Sequence, residues 1–430
     1  MPDSQPLRWL YLDLNSYFAS VEQQLAPELR GRPVAVAPVM TDSTCAIAAS
    51  YEAKAFGIKT GTPIWEARAK CRELVVVPAR HSEYVRFHHA IIAEVERHVP
   101  VTAVCSIDEV ACRLMDNEND AGRVAALSRR IKAGIAANVG SALKCSIGVA
   151  PNRLLAKMAA DMQKPDGLTV LDAATLHARL CTLVPGDIPG IGSNMERRLA
   201  AAGVVDMARI LALDAREARQ VWGSVWGERL HWLLRGRDLP ELPTERRSIG
   251  HSQVLSPELR SPVPARLIAR RLLVKAATRL RRLEGRSALL VLSVKGDADR
   301  IEGSAAPRLK WSRALRLLPA HDNFTLLGGL DTLWRAMRGE FAPQRYRQVS
   351  VALLELSPAS EAQLALFDRD GVVGAATEAK RLALSCAMDR VNHRWGRDAV
   401  TIGHDARGAA RGSGPKIAFT RIPELAEFNE

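Results

Sequence analysis

Long apolar runs are missing from these 430 residues. No stretch approaches the roughly 18 uninterrupted apolar residues that cross a bilayer, which excludes an integral helical membrane protein. The opening MPDSQPLRWLYLDL has no basic region followed by an apolar run and a small-residue cleavage site, so no secretory signal is expected. Cysteine is sparse and unpatterned. The seven residues (Cys45, Cys71, Cys105, Cys112, Cys145, Cys181, Cys386) are odd in number and form no C-x-x-C pair. That argues against a disulfide or zinc framework and predicts reduced core thiols in a cytoplasmic protein. Internal repeats are absent. Acidic residues are the minority, 47 Asp+Glu against 60 Lys+Arg, for a net charge of +13. The rest, 47% hydrophobic and 25% charged, is ordinary for a folded chain and excludes disorder as the main state. The length suggests about three domains.

The excess charge is concentrated. Positions 245–318 carry 17 Lys/Arg and 6 Asp/Glu, a local net of +11. Such a stretch is an electrostatic footprint for a polyanion, nucleic acid ahead of a membrane surface. A solvated basic face without a partner is the plainer alternative.

Along the chain, 7–14, 33–38, 44–49, 74–77, 101–105, 110–115 and 145–149 read as strands. Stretches 51–56, 63–71, 84–97, 120–139 and 152–162 read as helices, with another starting at Ser16. This mixture predicts α/β or α+β domains, a sheet covered by helices. From 183 to 213 the texture changes. Pro189-Gly190-Ile191-Gly192 between short helices is the pattern of a helix-hairpin-helix, whose glycine N–H groups can bind a DNA phosphate; an ordinary αα-turn is the alternative. Positions 239–247 read as a linker. A strand at 248–255, a helix at 263–283, strands at 288–295 and 301–306, a helix at 323–337 and a strand at 348–356 predict an independent βαββαβ domain. The first of those helices puts Ile268, Leu272, Ala276, Leu280 and Leu283 on one stripe. A last helix is expected at 377–395, before a Gly/Arg-rich tail.

Three acids stand out. Asp13 ends an apolar strand, and Asp108 and Glu109 lie together between two strands. If those strands are neighbours, three carboxylates meet at one sheet end, where a divalent cation would relieve their repulsion. Hard oxygen ligands suit Mg²⁺ or Mn²⁺, and a pair of ions could activate a hydroxyl and stabilise a departing pyrophosphate. Taken singly, each acid could equally be a turn or cap residue.

The neighbouring residues decide between these. Asp13 is followed by Leu14-Asn15-Ser16-Tyr17-Phe18-Ala19-Ser20-Val21-Glu22, and Ser50 by Tyr51-Glu52-Ala53-Lys54-Ala55-Phe56-Gly57-Ile58. Ser146-Ile147-Gly148-Val149-Ala150 precedes Asn152-Arg153-Leu154-Leu155-Ala156-Lys157-Met158-Ala159-Ala160-Asp161, then Lys164-Pro165-Asp166-Gly167. In this order the motifs resemble those of the Y-family (translesion) DNA polymerases, over about residues 7–356.

The resemblance implies a right-hand polymerase: palm at 1–25 and 81–170, short fingers at 26–80, a helix-hairpin-helix thumb at 171–238, a linker at 239–247, a βαββαβ little finger at 248–357, and an extension at 358–430. It implies two Mg²⁺ ions, with Mn²⁺ as substitute, held by Asp13, Asp108, Glu109 and the Leu14 carbonyl. Phe18 matches the steric gate under the sugar, Tyr17 lies beside it, and Tyr51, Lys54 and Lys164 match the residues that hold the triphosphate. Lys54 stands where Arg is commoner, so a bidentate grip becomes a point contact. Ala48, Ala111 and Arg113 also depart from the family pattern without removing a metal ligand. Gly190 and Gly192 would grip duplex backbone. Low fidelity follows from the short fingers, and no second acidic cluster suggests a proofreading nuclease.

After Pro358, Gln363-Leu364-Ala365-Leu366-Phe367 resembles the peptide that docks bacterial polymerases on the sliding clamp; Gln363, Leu364, Leu366 and Phe367 would make the contact. That peptide, followed by a further extension with Asp389-Arg390-Val391-Asn392-His393-Arg394-Trp395-Gly396-Arg397, resembles the UmuC branch, the catalytic subunit of polymerase V. The branch implies a UmuD-like partner and a recombinase filament under DNA-damage (SOS) stress. The expected partners are thus primer–template DNA, dNTP and clamp. Two other readings are a non-catalytic, polymerase-shaped adaptor and a nucleotidyl cyclase.

Overall fold

The apolar run at the start of the chain becomes the centre of a sheet. In the computed structural model, which describes residues 6–42, 44–242, 247–297, 308–341, 343, 345–361, 375–396, 399–403 and 422, strand β1 (Trp9–Leu14) is buried along its whole length. The chain divides into two units, which part at residues 241 and 242.

In the first unit, α1 (Tyr17–Leu25) follows β1. A small sheet comes next, built from β2 (Val34–Ala37), β3 (Ala48–Ala49) and β4 (Val75–Pro78), with β2 in the middle. Helices α2 (Tyr51–Ala55) and α3 (Ile64–Lys70) close a core of Ala35, Ala37, Ala53, Ile58 and Ile64 against it. Then follow α4 (His81–Glu96), β5 (Ala103–Val104), β6 (Glu109–Arg113), α5 (Ala121–Gly134), β7 (Cys145–Ala150), α6 (Arg153–Met162) and β8 (Leu168–Val170). The large sheet runs β5-β6-β1-β7-β8, antiparallel except for the last pair. Side chains alternate across a strand. Leu10, Leu12 and Leu14 therefore pack with Tyr84, Val85 and Ile91 of α4 and Leu127 and Ile131 of α5. Trp9 and Tyr11 pack on the opposite face with Leu155, Ala156 and Ala159 of α6. That second core continues into α7 (Leu176–Leu180), α8 (Ser193–Ala201), α9 (Met207–Ala212), α10 (Ala215–Trp222) and α11 (Val225–Leu234).

The second unit starts with β9 (Ser248–Val254) and continues through α12 (Pro262–Arg282), β10 (Gly285–Asp297), β11 (Arg308–Ala320), α13 (Asn323–Glu340) and β12 (Arg345–Pro358). The βαββαβ order holds, and the antiparallel sheet runs β11-β10-β12-β9. Ile268, Leu272, Ala276 and Leu280 face it as expected, with Leu326, Leu330 and Trp334 of α13. Helix α14 (Ala375–Trp395) then packs on this unit: Asp389 pairs with Arg281 at 2.7 Å, and Glu378 with Arg286 at 3.2 Å.

Three expectations change, and a fourth, the strand expected at 301–306, lies outside the described residues. The strand found is β11, where half-buried Trp311, Leu315 and Leu317 share their face with exposed Arg313, and Lys310 and Arg316 stand on the other, a pattern that escapes a search for apolar runs. Leu283 is the C-cap of α12 and is 50% exposed, because the helix ends before the stripe reaches it. All seven cysteines are free thiols, but Cys45, Cys105 and Cys181 are exposed and so are not core residues. Before the Pro189–Gly192 stretch stands a single 3-10 turn (Pro185–Asp187), not a short α-helix.

Candidate active site

Because Leu10, Leu12 and Leu14 turn to one core, Asp13 points to the α6 face of the sheet, and so does Glu109 on β6. The antiparallel register sets Asp13 directly opposite Glu109. The Leu14 amide donates to the Asp108 carbonyl at 2.9 Å. The turn carrying Asp108 is held from below by His88 of α4, whose Nδ1 lies 2.8 Å from the Ile107 carbonyl. Asp13 and the adjacent Asp108 and Glu109, distant from it in the sequence, thus share one sheet end.

Their carboxylates do not converge. Each has its own partner: Lys164 binds Asp13 at 2.8 Å and Asp161 at 2.7 Å, Lys157 pairs with Glu109, and the Ser106 hydroxyl donates to Asp108. Among the described residues no three acidic, histidine or cysteine side chains stand close enough to share an ion. Like charges at one strand end separate toward the nearest cations. The electrostatic pressure is nevertheless visible. Burial pushes the Asp13 carboxyl up to about 6 against the pull of Lys164, with Asp161 and Asp108 adding to it. Asp108 is raised as well, by burial first and by Glu109 after it. Burial alone would lower the Lys164 ammonium, but Asp13 and Asp161 outweigh it and hold the proton. Carboxylates and a main-chain carbonyl on one edge are hard oxygen donors, so their chemistry fits a divalent cation of the magnesium type.

Tyr51, Lys54 and Lys164 gather near Asp13. Lys54 Nζ sits 4.2 Å from the centre of the Tyr51 ring. Its ammonium is pulled down, first by partial burial and then by Lys164. Ser50 caps α2 by accepting from the Ala53 amide, which fixes where Tyr51 and Lys54 project. The turn before α1 is unusual: Ser16 adopts a left-handed backbone (φ 49°) with its hydroxyl buried and unpartnered. Asn15 secures that turn, accepting from the Asp166 amide at 2.7 Å and donating to Ser146 at 3.1 Å. Of the two aromatic residues that follow, Tyr17 is buried and its hydroxyl donates to the Tyr84 carbonyl at 2.6 Å. Phe18 is the half-buried one, stacked on the Tyr84 ring. Tyr17 therefore lies in the core behind Phe18.

Elsewhere, Gly190 has φ 94°, a turn that favours glycine, and Gly192 is the N-cap of α8. Gln363, Leu364, Leu366 and Phe367 lie outside the described residues. Lys157, Asp161 and Ser106 are contributors to which sequence reasoning gave no role; the Lys157–Asp161 spacing of four on one helix face was the available signal.

A fold of large sheet, small sheet, helical region and separate βαββαβ unit, with acids on the sheet edge, is that of a nucleotidyl-transferring polymerase. Residues 12–161 match the model of the impB/mucB/samB family, and residues 246–366 match the impB/mucB/samB family C-terminal domain. A DNA polymerase IV from Moorella thermoacetica is 33% identical over 399 residues, 91% of this chain and 94% of the relative. DNA polymerase IV 2 of Mesorhizobium japonicum is 31% identical, covering 94% and 95%. Among solved structures, a Y-family DNA polymerase chimera superposes with a TM-score of 0.64 at 23% identity, covering 82% of this chain and 99% of that one. The chain belongs to the impB/mucB/samB family of Y-family DNA polymerases.

Proposed function

We infer that this chain is a template-directed DNA polymerase of the translesion type. It adds deoxynucleotides to a primer 3′-OH in DNA damage tolerance, with low fidelity and no proofreading. The observation that carries the reading is the register that sets Asp13 opposite Glu109, with Asp108 one residue away. Asp13, Asp108, Glu109 and the Leu14 carbonyl would hold two Mg²⁺ ions, or Mn²⁺. Such ions supply Lewis acidity toward the attacking hydroxyl and the departing pyrophosphate. Tyr51, Lys54 and Lys164 bind the triphosphate by charge and hydrogen bonds. Phe18 lies under the sugar and excludes a 2′-hydroxyl, and Tyr17 fixes the frame behind it. Gly190 and Gly192 bind the duplex backbone. Palm (1–25, 81–170), fingers (26–80), thumb (171–238), linker (239–247), little finger (248–357) and extension (358–430) divide the labour accordingly. Gln363, Leu364, Leu366 and Phe367 form the clamp peptide, which raises local concentration on DNA.

The relatives named DNA polymerase IV favour that branch, and they speak for an enzyme rather than an adaptor. The UmuC-like reading, with a UmuD-like partner, recombinase filament and SOS mutagenesis, rests on the C-terminal extension alone. Cytoplasmic operation accords with the described helices, none of which is long and apolar enough to cross a membrane.

Primer extension with Mg²⁺ tests the function. The wild type extends a primed template, and Asp108→Ala lowers the rate by at least about a hundredfold. Equal products from both proteins would end the proposal.

A further inference from the structure

We propose that Glu22, acting through Tyr84 together with Arg80, fixes the Phe18 ring and so sets how sharply the enzyme separates deoxyribose from ribose. The inference rests on the reading of Phe18 as the ring beneath the sugar.

Glu22 lies one helical turn beyond Phe18 on α1 and is 2% exposed. A carboxylate so buried must be paired and hydrogen-bonded to be tolerated. The Arg80 guanidinium grips both oxygens, with Nε at 3.2 Å from Oε1 and 3.0 Å from Oε2, and Nη2 also on Oε2. The Tyr84 hydroxyl donates to Oε1 at 2.7 Å. Tyr84 is wholly buried. Its ring stacks on Phe18 with centroids 4.3 Å apart and planes 13° apart, and its carbonyl accepts from Tyr17. Tyr84 is thus pinned at its hydroxyl, its ring and its main chain. His81 flanks the pair, 6.4 Å from Phe18 and 5.9 Å from Tyr84.

A ring that rejects a hydroxyl by collision works only if it cannot recede. Close packing against a fixed neighbour supplies that resistance. The Glu22–Arg80–Tyr84 network supplies the fixed neighbour, and Glu22 is a positioning residue that never meets the nucleotide. Arg80 ends the segment returning from the small sheet, so the same pair also closes that segment onto α1 and α4.

The test uses the full chain. Tyr84→Phe keeps the stacked ring and removes only the hydroxyl; Glu22→Gln keeps the shape and removes the charge. For each, kcat/KM is measured for a deoxynucleotide and the matching ribonucleotide on undamaged template, alongside the melting temperature. Loss of the charge-assisted bond in Tyr84→Phe is expected to lower the deoxy-to-ribo ratio by about tenfold, with a smaller loss for the deoxynucleotide itself. A lower melting temperature with an unchanged ratio overturns the inference, because a purely structural role moves both sugars together. Phe18→Ala serves as reference. If it abolishes discrimination while Tyr84→Phe does not, the gate stands and the relay fails. If Phe18→Ala leaves the ratio unchanged, the reading of Phe18 falls and takes the relay with it. Should Glu22→Gln fail to fold, Tyr84→Phe decides alone.

Discussion

His251 shows how much a single side chain can impose. It lies on β9, its Nε2 buried without a partner, and burial, then Lys275 and Arg279, pull its imidazole down to about 4. In the unfolded chain it titrates near its ordinary value of about 6.5. As pH falls through that value the unfolded state takes up the proton first. Stability present above about 6.5 is therefore lost as pH approaches about 4. Calorimetry at stepped pH is expected to show the second unit's melting temperature falling across that window, and His251→Gln is expected to flatten the fall. The same scale explains which site residues the sequence reveals. Asp13 is conspicuous because an acid ending an apolar strand is rare, and Asp108 and Glu109 because they interrupt one. Lys157 is not, since its partner Glu109 is 48 positions away and the pair exists only once α6 has packed on the sheet. Glu22, Arg80 and Tyr84 are hidden for the same reason. Tyr17 and Phe18 look alike in sequence; only helix phase puts one in the core and leaves the other half outside.

Among the elements, β7 and α6 bear most directly on the three acids, because α6 carries Lys157 and Asp161 past them. Their close approach depends on Gly148. A Cβ there would come within 2.0 Å of the Ala156 carbonyl and 2.3 Å of the Ala160 nitrogen, neither of which can move without the helix. Gly148→Ala is expected to cost about 3 kcal/mol of stability, read from a denaturant midpoint, and to reduce primer extension with it. Elements with one clear period are legible: α12 shows its apolar stripe and β1 its unbroken run. β11 is not, because on a sheet margin the outward face and much of the other face meet water, and exposed Arg313 interrupts the face that carries Trp311, Leu315 and Leu317. β8, three residues long, has too little pattern to be read at all.

At the scale of the whole molecule, the second unit has its own core, formed by β9 to β12 with α12 and α13. Basic residues are concentrated there, so on the proposed reading this unit adds most of the electrostatic grip on DNA while the acids lie in the other unit. A chain truncated before Ser248 is expected to retain nucleotide addition while its affinity for primer–template falls by about tenfold or more, and its salt dependence becomes shallower. Fluorescence anisotropy over a salt series measures both; an unchanged slope would remove the second unit from the interface.

The margin strand β11 has one more effect. An open strand edge invites a second chain to add to it, the first step toward fibrils. Here that edge carries exposed Lys310, Arg313 and Arg316. A sister copy arriving edge to edge would have to desolvate this charged margin, including the Arg313–Glu340 and Arg316–Glu355 pairs, so the margin discourages clumping of the chain with itself.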